Sequence, residues 1–80
     1  MRVSLGADVD IPEFRLRGDH VALCDLLKLV GMADSGGQGK ALIAGGAVSV
    51  DGRLELRKTA KIRAGQIVTC HGGHVRVMAP

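Results

Sequence analysis

A chain of 80 residues with a net charge of +3 has room for one compact domain, and a domain of this size is too small for a deep enzyme cleft. Hydrophobic residues make up 46% of the sequence, but there is no Trp, no Tyr and a single Phe, so the core must be built from aliphatic side chains. Base stacking on aromatic platforms is largely excluded for the same reason.

The sequence shows no signal for a membrane or for secretion. No apolar run approaches the roughly 20 residues that span a bilayer, and the segment 1–8 lacks the apolar core of a secretory signal. We therefore expect a cytoplasmic protein with no membrane partner. Cys24 and Cys70 are too few for a disulfide framework, and in a reducing compartment both are expected to stay thiols.

The positive charge is concentrated after Gly52. Up to that residue five basic side chains are outnumbered by seven acidic ones, whereas from Arg53 onward six basic side chains accompany one acidic residue, Glu55. A concentrated basic segment is what a polyanion-binding surface requires. Composition alone leaves open the alternative of a solvated charged face without a partner.

The beginning of the chain predicts an arm followed by a short strand. Residues 1–13 mix Asp, Gly, Pro and scattered apolar side chains without a sustained period, which predicts a loose N-terminal arm. Residues 14–16 alternate apolar and charged side chains, which predicts a short strand that Gly18 ends. Residues 14–80 are accordingly expected to form a single domain.

A first helix is predicted from His20 to Gly31. Its apolar residues fall at i, i+3, i+4 and i+7, which is the spacing of one buried stripe on a helix. The members of this stripe are Leu23, Leu26, Leu27 and Val30.

A second, weaker helix is predicted to follow. Ser35, with Gln38 three positions later, forms a capping-box pattern that begins a helix, and Gly45-Gly46 supplies the residue that ends it. Three glycines in the first turns each cost roughly 1 kcal/mol relative to Ala. Glycine at Gly36, Gly37 and Gly39 indicates that something approaches the backbone closely.

The rest of the chain predicts antiparallel strands. Residues 47–50 and 53–57 alternate around Asp51-Gly52, which is the signal of a type I′ hairpin turn. Residues 58–63 form a polar, basic connector that a turn at 64–65 closes, and residues 66–70 and 75–78 predict a last hairpin around Gly72-Gly73. The whole order predicts an α+β fold in which two short helices pack on a small, mainly antiparallel sheet.

Several of these segments together resemble a known family. The stretches LCDLLK (23–28), SGGQGKALI (35–43) and GAVSVDG (46–52), with Arg57-Lys58 and AGQ (64–66), resemble the S4-type RNA-binding domain, also called the alpha-L motif, and most of all its small stand-alone bacterial members. The resemblance covers about residues 14–77. It implies a monomeric, non-enzymatic protein without a cofactor that grips structured RNA, such as ribosomal RNA, transfer RNA or a ribosomal particle.

The resemblance also implies a set of contact residues. In the family, the two helices and the following hairpin form the RNA surface, which here implies contacts from Lys28, Ser35, Gln38, Lys40, Arg57, Lys58 and Lys61. Many relatives have Arg just after the capping Ser, where this chain has Gly36 and Gly37. These glycines would let a phosphate approach the N–H groups at the start of the helix, although Ser35 and Gln38 could serve as caps alone. Charge clustering adds Arg53 and Arg63 to the expected surface.

Enzyme motifs fail on spacing. Asp34 stands where a P-loop requires its first Gly, and Ala41 stands where it requires Ser or Thr. Gly37-Gln38-Gly39 is followed by Leu42 where a dinucleotide fingerprint has its last Gly. We therefore expect no catalytic site.

A metal site is the remaining chemical alternative. His20 and Cys24 lie at i and i+4, and Cys70, His71 and His74 cluster at the last hairpin, so a zinc-stabilised domain is conceivable. Neighbouring residues of a strand point to opposite faces, however, and Cys24 lies beside the apolar stripe, where a small core thiol is expected. We predict no metal site, and a small protein-interaction module stays open as a further alternative.

Overall fold

The computed structural model describes residues 11–80. Most of the predicted N-terminal arm, residues 1–10, lies outside the described residues. At its end, the Pro12 carbonyl accepts a hydrogen bond from the Arg76 N–H at 2.8 Å, and Glu13 is already the first residue of a strand.

Two helices and seven short strands make up the described part of the chain. In chain order they are β1 (Glu13–Arg15), β2 (Val21–Ala22), α1 (Leu23–Leu29), α2 (Gly36–Ala44), β3 (Val48–Val50), β4 (Arg53–Leu54), β5 (Lys61–Ile62), β6 (Ile67–Cys70) and β7 (Gly73–Met78). Among residues 11–80, no helix is long and apolar enough to cross a membrane.

The strands form one larger and one smaller sheet. The larger has the order β1-β7-β6-β3-β4, and β2 pairs with β5 in the smaller. The pairing of β1 with β7 is parallel, and the other pairings in the described residues are antiparallel. The predicted α+β fold with two helices and a mainly antiparallel sheet is confirmed.

The core lies between the helices and one face of the larger sheet. The stripe of α1 is buried as predicted at Leu23, Leu26 and Leu27, while Val30 is half-buried. Alternate residues of β3, β6 and β7 face the helices and are buried. They are Val48, Val50, Val68, Cys70, Val75 and Val77. Cys24 belongs to the same core and, like Cys70, is a free thiol.

Two boundaries and one additional strand differ from the prediction. The first helix begins at Leu23 and not at His20, because Val21 and Ala22 pair with β5, a strand inside the segment predicted as a connector. The last hairpin turns at His71-Gly72 and not at Gly72-Gly73, because the register pairs Cys70 with Gly73. Both turn residues have positive φ, 50° and 80°, as a type I′ turn requires.

The first hairpin forms as predicted. Asp51 and Gly52 have φ of 51° and 82°, which are the backbone angles of a type I′ turn. Asp51 also attaches the turn to β6, since its N–H donates to the Ile67 carbonyl at 2.8 Å and its Oδ1 accepts from the Ile67 N–H at 3.0 Å. The hairpin and the strand beyond it are therefore held as one unit.

Candidate nucleic-acid interface

The start of α2 is closed by its own side chains. Ser35 Oγ accepts a hydrogen bond from the Gln38 N–H at 3.1 Å, as expected of an N-cap. The Gln38 Oε1 accepts from the Asp34 N–H, one residue earlier than in the usual capping box. The predicted caps therefore form, and both side chains are exposed and keep a donor group that the caps do not use, the Ser35 O–H and the Gln38 amide N–H₂.

The three glycines of α2 have different surroundings. A Cβ at Gly39 would lie 2.8 Å from the Cys24 carbonyl oxygen, so this glycine permits close packing of α2 on α1. A Cβ at Gly36 would meet nothing within 4 Å, and at Gly37 only Ser35 Oγ at 3.8 Å. Packing inside the protein thus explains Gly39, whereas Gly36 and Gly37 face open space at the start of the helix.

A basic segment crosses the start of α1. The N–H groups of Leu23 and Cys24 donate to the carbonyls of Ala60 and Lys58 at 2.9 and 3.1 Å. These bonds use the first donors of α1, and they fix Lys58 beside the residue on which Gly39 packs. Cys24 is thereby the point where α1, α2 and the segment 58–60 meet.

Four exposed lysines lie on the elements that meet at this junction. Lys61 is paired with Ala22, the residue just before α1. Lys28 lies on the same side of α1 as Cys24, because residues four apart share a helix face. Lys40 follows Gly39 in α2, and all four lysines, Lys28, Lys40, Lys58 and Lys61, are exposed.

Arg57 makes an ion pair beside the same segment. Its Nε donates to Glu55 Oε2 at 3.1 Å and its Nη2 to Glu55 Oε1 at 3.3 Å. The hydrogen bonds from Arg57 lower the pKa of the Glu55 carboxyl, and the same bonds raise the pKa of the Arg57 guanidinium. Arg57 also lines a shallow depression of about 400 Å³ with Thr59, Ala60 and Lys61.

Arg53 and Arg63 lie elsewhere. Arg53 is opposite Val50 on the edge strand β4. It lines a second depression together with Asp51, Glu55 and Gln66, among others. The Arg63 N–H donates to the Gln66 Oε1 at 2.7 Å, which places Arg63 near that depression. The structure thus puts Lys28 and Lys40 on the two helices and Arg57, Lys58 and Lys61 on the segment that bonds the start of α1. Arg53 lies in a depression with Asp51 and Glu55, and Arg63 lies two residues beyond Lys61.

The candidate metal ligands do not come together. Among residues 11–80, no three His, Cys, Asp or Glu side chains are grouped so that they could hold a metal ion. His20 precedes β2 and is not in α1, so its predicted helical spacing to Cys24 is wrong. Cys70 is buried, which raises its pKa, whereas His74 Nδ1 is 2.9 Å from Thr69 Oγ1.

Two features of this surface were not predicted from the sequence. One is the pairing of Glu55 with Arg57, although the alternation in residues 53–57 put the two on one side of the chain. The other is Thr59, which gave no signal because a lone Thr in a polar segment has no pattern around it.

Comparisons with known proteins agree with this architecture. A sequence model of the S4 domain matches residues 14–78. The chain is 57% identical over 60 residues to YbcJ of Escherichia coli (strain K12), and the aligned stretch covers 75% of this chain and 86% of that protein. YbcJ of Shigella flexneri matches with the same values. The solution structure of YbcJ from E. coli, with an alpha-L motif involved in RNA-binding, covers 99% of this chain and 95% of that one at 48% identity and a TM-score of 0.69. The chain therefore belongs to the S4 domain family.

Proposed function

We propose that this protein binds structured RNA and has no catalytic activity. The observation that carries the proposal is that five exposed cations lie on the elements that meet at Cys24, namely α1, α2 and the segment 57–61: Lys28, Lys40, Arg57, Lys58 and Lys61. The alpha-L motif involved in RNA-binding in YbcJ from E. coli supports it. Residues 14–80 would act as one domain, in the cytoplasm and as a monomer.

The surface suits RNA recognition by shape. Cations fixed on short helices and a held loop can match phosphates at set distances, and such contacts position an RNA without reading its bases. The N–H groups of Gly36 and Gly37 donate to no acceptor among residues 11–80, and the space at their Cα atoms is open enough for an added Cβ. A phosphate can therefore approach the start of α2, where the helix dipole is positive.

Purification without nuclease tests the proposal. We expect RNA to co-purify, with a 260 nm absorbance that high salt removes. The purified protein should then bind a transfer RNA or a ribosomal RNA hairpin more tightly than an unstructured single strand of the same length. Equal binding to the folded RNA and the single strand would contradict the proposed preference. No binding to either would contradict the proposed function.

The RNA target is proposed to be ribosomal or transfer RNA. Crosslinking in cells, followed by sequencing of the attached RNA, identifies it directly. Reads that cluster at one fold of ribosomal RNA or in transfer RNA are expected, and reads spread over messenger RNAs would count against this target.

One observation favours a second function, a contact with another protein. Leu54 and Leu56 are 59% and 56% exposed and, by the alternation of an extended segment, lie on one side of it. Adjacent exposed leucines are often part of protein interfaces. A photo-crosslinker placed at Leu56 in cells would show this function if it captures one protein, and would oppose it if it captures RNA or nothing.

A further inference from the structure

The backbone of Glu55 is held in place by the sheet. The Glu55 N–H donates to the Val48 carbonyl at 3.0 Å, which extends the pairing of β4 with β3 by one residue. Its side chain is only 19% exposed, whereas the side chain of Arg57 is 79% exposed. A half-buried carboxylate thus lies next to a cation that reaches into solvent.

Both carboxylate oxygens of Glu55 are used to hold Arg57. Oε2 accepts from the Arg57 Nε and backbone N–H at 3.1 and 3.0 Å, and Oε1 accepts from Nη2 at 3.3 Å. A guanidinium is planar and has five N–H donors in a rigid fork. Two of the five are directed at Glu55, so the other three are fixed in direction and available for another acceptor.

The depression next to Arg57 has the chemistry of a phosphate site. Two cations and one hydroxyl line it, at Arg57, Lys61 and Thr59, and its fourth lining residue is Ala60. Its backbone is tied down, since the Ala60 N–H donates to the Arg57 carbonyl at 3.2 Å and the Ala60 carbonyl accepts from the Leu23 N–H at 2.9 Å. No acidic residue is among the four that line it.

We propose that this depression receives one phosphate of the RNA between Arg57 and Lys61, and that Glu55 is a positioning residue that aims Arg57 at this phosphate. The inference rests on the proposed function and specifies one subsite of it. The three free N–H groups of Arg57 and the Lys61 ammonium supply charge, and Thr59 supplies a hydroxyl donor.

The proposal predicts an effect opposite in sign to simple electrostatics. By Coulomb's law, a carboxylate near a phosphate repels it, so removal of Glu55 should tighten RNA binding. If Glu55 instead holds Arg57 in its binding geometry, its removal frees the arginine, and binding must then order that side chain again. RNA binding should then weaken.

Affinity for one folded RNA in three variants tests the sign. We expect Glu55→Ala to bind about threefold to tenfold more weakly, which is the loss that corresponds to ordering one long side chain. Glu55→Gln keeps one accepting oxygen and should fall between Glu55→Ala and the wild type. Glu13→Gln is the matched control, because Glu13 is exposed on β1, at the opposite edge of the sheet from β4, and its neutralisation should leave binding unchanged or slightly tighter.

A double-mutant cycle and the salt dependence separate positioning from a general structural role. In an Arg57→Ala background, Glu55→Ala should no longer weaken binding. Arg57→Ala should reduce the slope of log affinity against log salt by about one unit, whereas Glu55→Ala should leave this slope unchanged because the arginine is still present. Thermal unfolding of each variant confirms that the hairpin is intact.

The outcomes distinguish this inference from the proposed function. Tighter binding by Glu55→Ala, or equal weakening with and without Arg57, would overturn the positioning role while RNA binding by the wild type stands. An unchanged salt slope in Arg57→Ala would overturn the phosphate site. A wild type that binds no folded RNA would overturn the proposed function itself, and the inference with it.

Discussion

Two glycines of α2 that are two positions apart meet opposite demands. Gly39 is buried against the Cys24 backbone, where an added Cβ would lie 2.8 Å from a carbonyl oxygen, while Gly37 is exposed. Neither the α1 backbone nor the Cys24 peptide can move away easily, because Cys24 is also bonded to Lys58. The same substitution should therefore have opposite effects on stability at these two positions.

Gly39→Ala should lower the free energy of unfolding by about 1–3 kcal/mol, the usual cost of an overpacked core. Gly37→Ala should raise it by up to about 1 kcal/mol, because Ala is the better helix former and nothing crowds its methyl group. Urea denaturation measures both. Equal effects of the two substitutions would contradict the close packing of α2 on α1.

Alanine substitutions at the first two glycines of α2 also test RNA binding. A methyl group at Gly36 or Gly37 would crowd a phosphate at the start of α2, so each Ala variant should bind RNA more weakly although it folds at least as well. Unchanged affinity in both variants would leave these glycines with a role in helix geometry alone.

Cys70 makes stability depend on pH. Burial raises the pKa of its thiol, so the folded protein keeps this proton at pH values where the unfolded chain releases it. The contribution to stability is therefore full below the ordinary thiol pKa of about 8.5 and is lost as the pH rises from there through the folded pKa. Between about pH 8 and pH 10 the Tm of the wild type should fall more than that of Cys70→Val, and parallel curves would contradict this cause.

At the scale of the elements, α2 combines a structural and a proposed binding role at its N-cap, Ser35. Ser35 caps the helix through Oγ, and it lies beside the open N–H groups of Gly36 and Gly37. Replacement by Ala removes the cap and the hydroxyl together, so it cannot separate the two roles. Replacement by Asp can, because Asp is an equally good cap but carries a negative charge.

Ser35→Ala should cost about 1 kcal/mol of stability, and Ser35→Asp should cost close to none. If a phosphate binds at the start of α2, Ser35→Asp should nevertheless weaken RNA binding more than Ser35→Ala, because the added carboxylate repels it. Stability from urea denaturation and affinity from a filter-binding titration give the comparison. An affinity that follows stability in both variants would mean that Ser35 only caps the helix.

The elements that the sequence predicts well are those with local signals. The stripe of α1, the cap of α2 and the Asp51-Gly52 turn each depend on residues a few positions apart. The pairing of β2 with β5 joins two-residue strands about 40 positions apart along the chain, and the parallel pairing of β1 with β7 is also non-local. A two-residue strand has no period to detect, and a pairing between distant strands has no local signal, so these pairings could not be read from the sequence.

The same division holds for the candidate site. Exposure of the basic residues follows from their chemistry and was predictable. Their arrangement was not, because it depends on the Lys58 and Ala60 carbonyls that bond the start of α1 and on the β2–β5 pair that sets Lys61 beside it. Charge clustering along the chain grouped Arg53 with these residues, although the fold places Arg53 on the edge strand β4.

At the scale of the whole molecule, the cations fall into groups that should differ in their effect on RNA binding. Five lie on the two helices or on the segment 57–61, Arg53 lies near Asp51 and Glu55 at the hairpin, and the Arg63 N–H is bonded to Gln66. Arg76 is half-buried on β7, between Glu13 of β1 and Ile67 of β6. Replacing any one of these cations by Ala changes the net charge by the same amount, so the variants differ only in the position of the lost charge.

The salt dependence of RNA binding should report these groups. If the five cations around the helices neutralise phosphates, the slope of log affinity against log salt should be between roughly −3.5 and −4.5, with single-strand and duplex DNA coefficients as brackets. Lys58→Ala or Lys61→Ala should reduce the slope by about one unit and weaken binding to different folded RNAs similarly, since a phosphate contact positions without specifying.

Arg76→Ala is the control for these lysine variants. It removes one positive charge from β7, where Arg76 alternates with the buried Val75 and Val77 and so lies on the side of the sheet away from the core, and it should leave the slope nearly unchanged. Arg53→Ala should have a smaller effect than Lys58→Ala, because the Asp51 carboxylate lines the same depression as Arg53 and offsets its charge. Equal slopes for Arg76→Ala and Lys58→Ala would mean that RNA responds to net charge alone, and the surface around α1 and α2 would then not be the binding site.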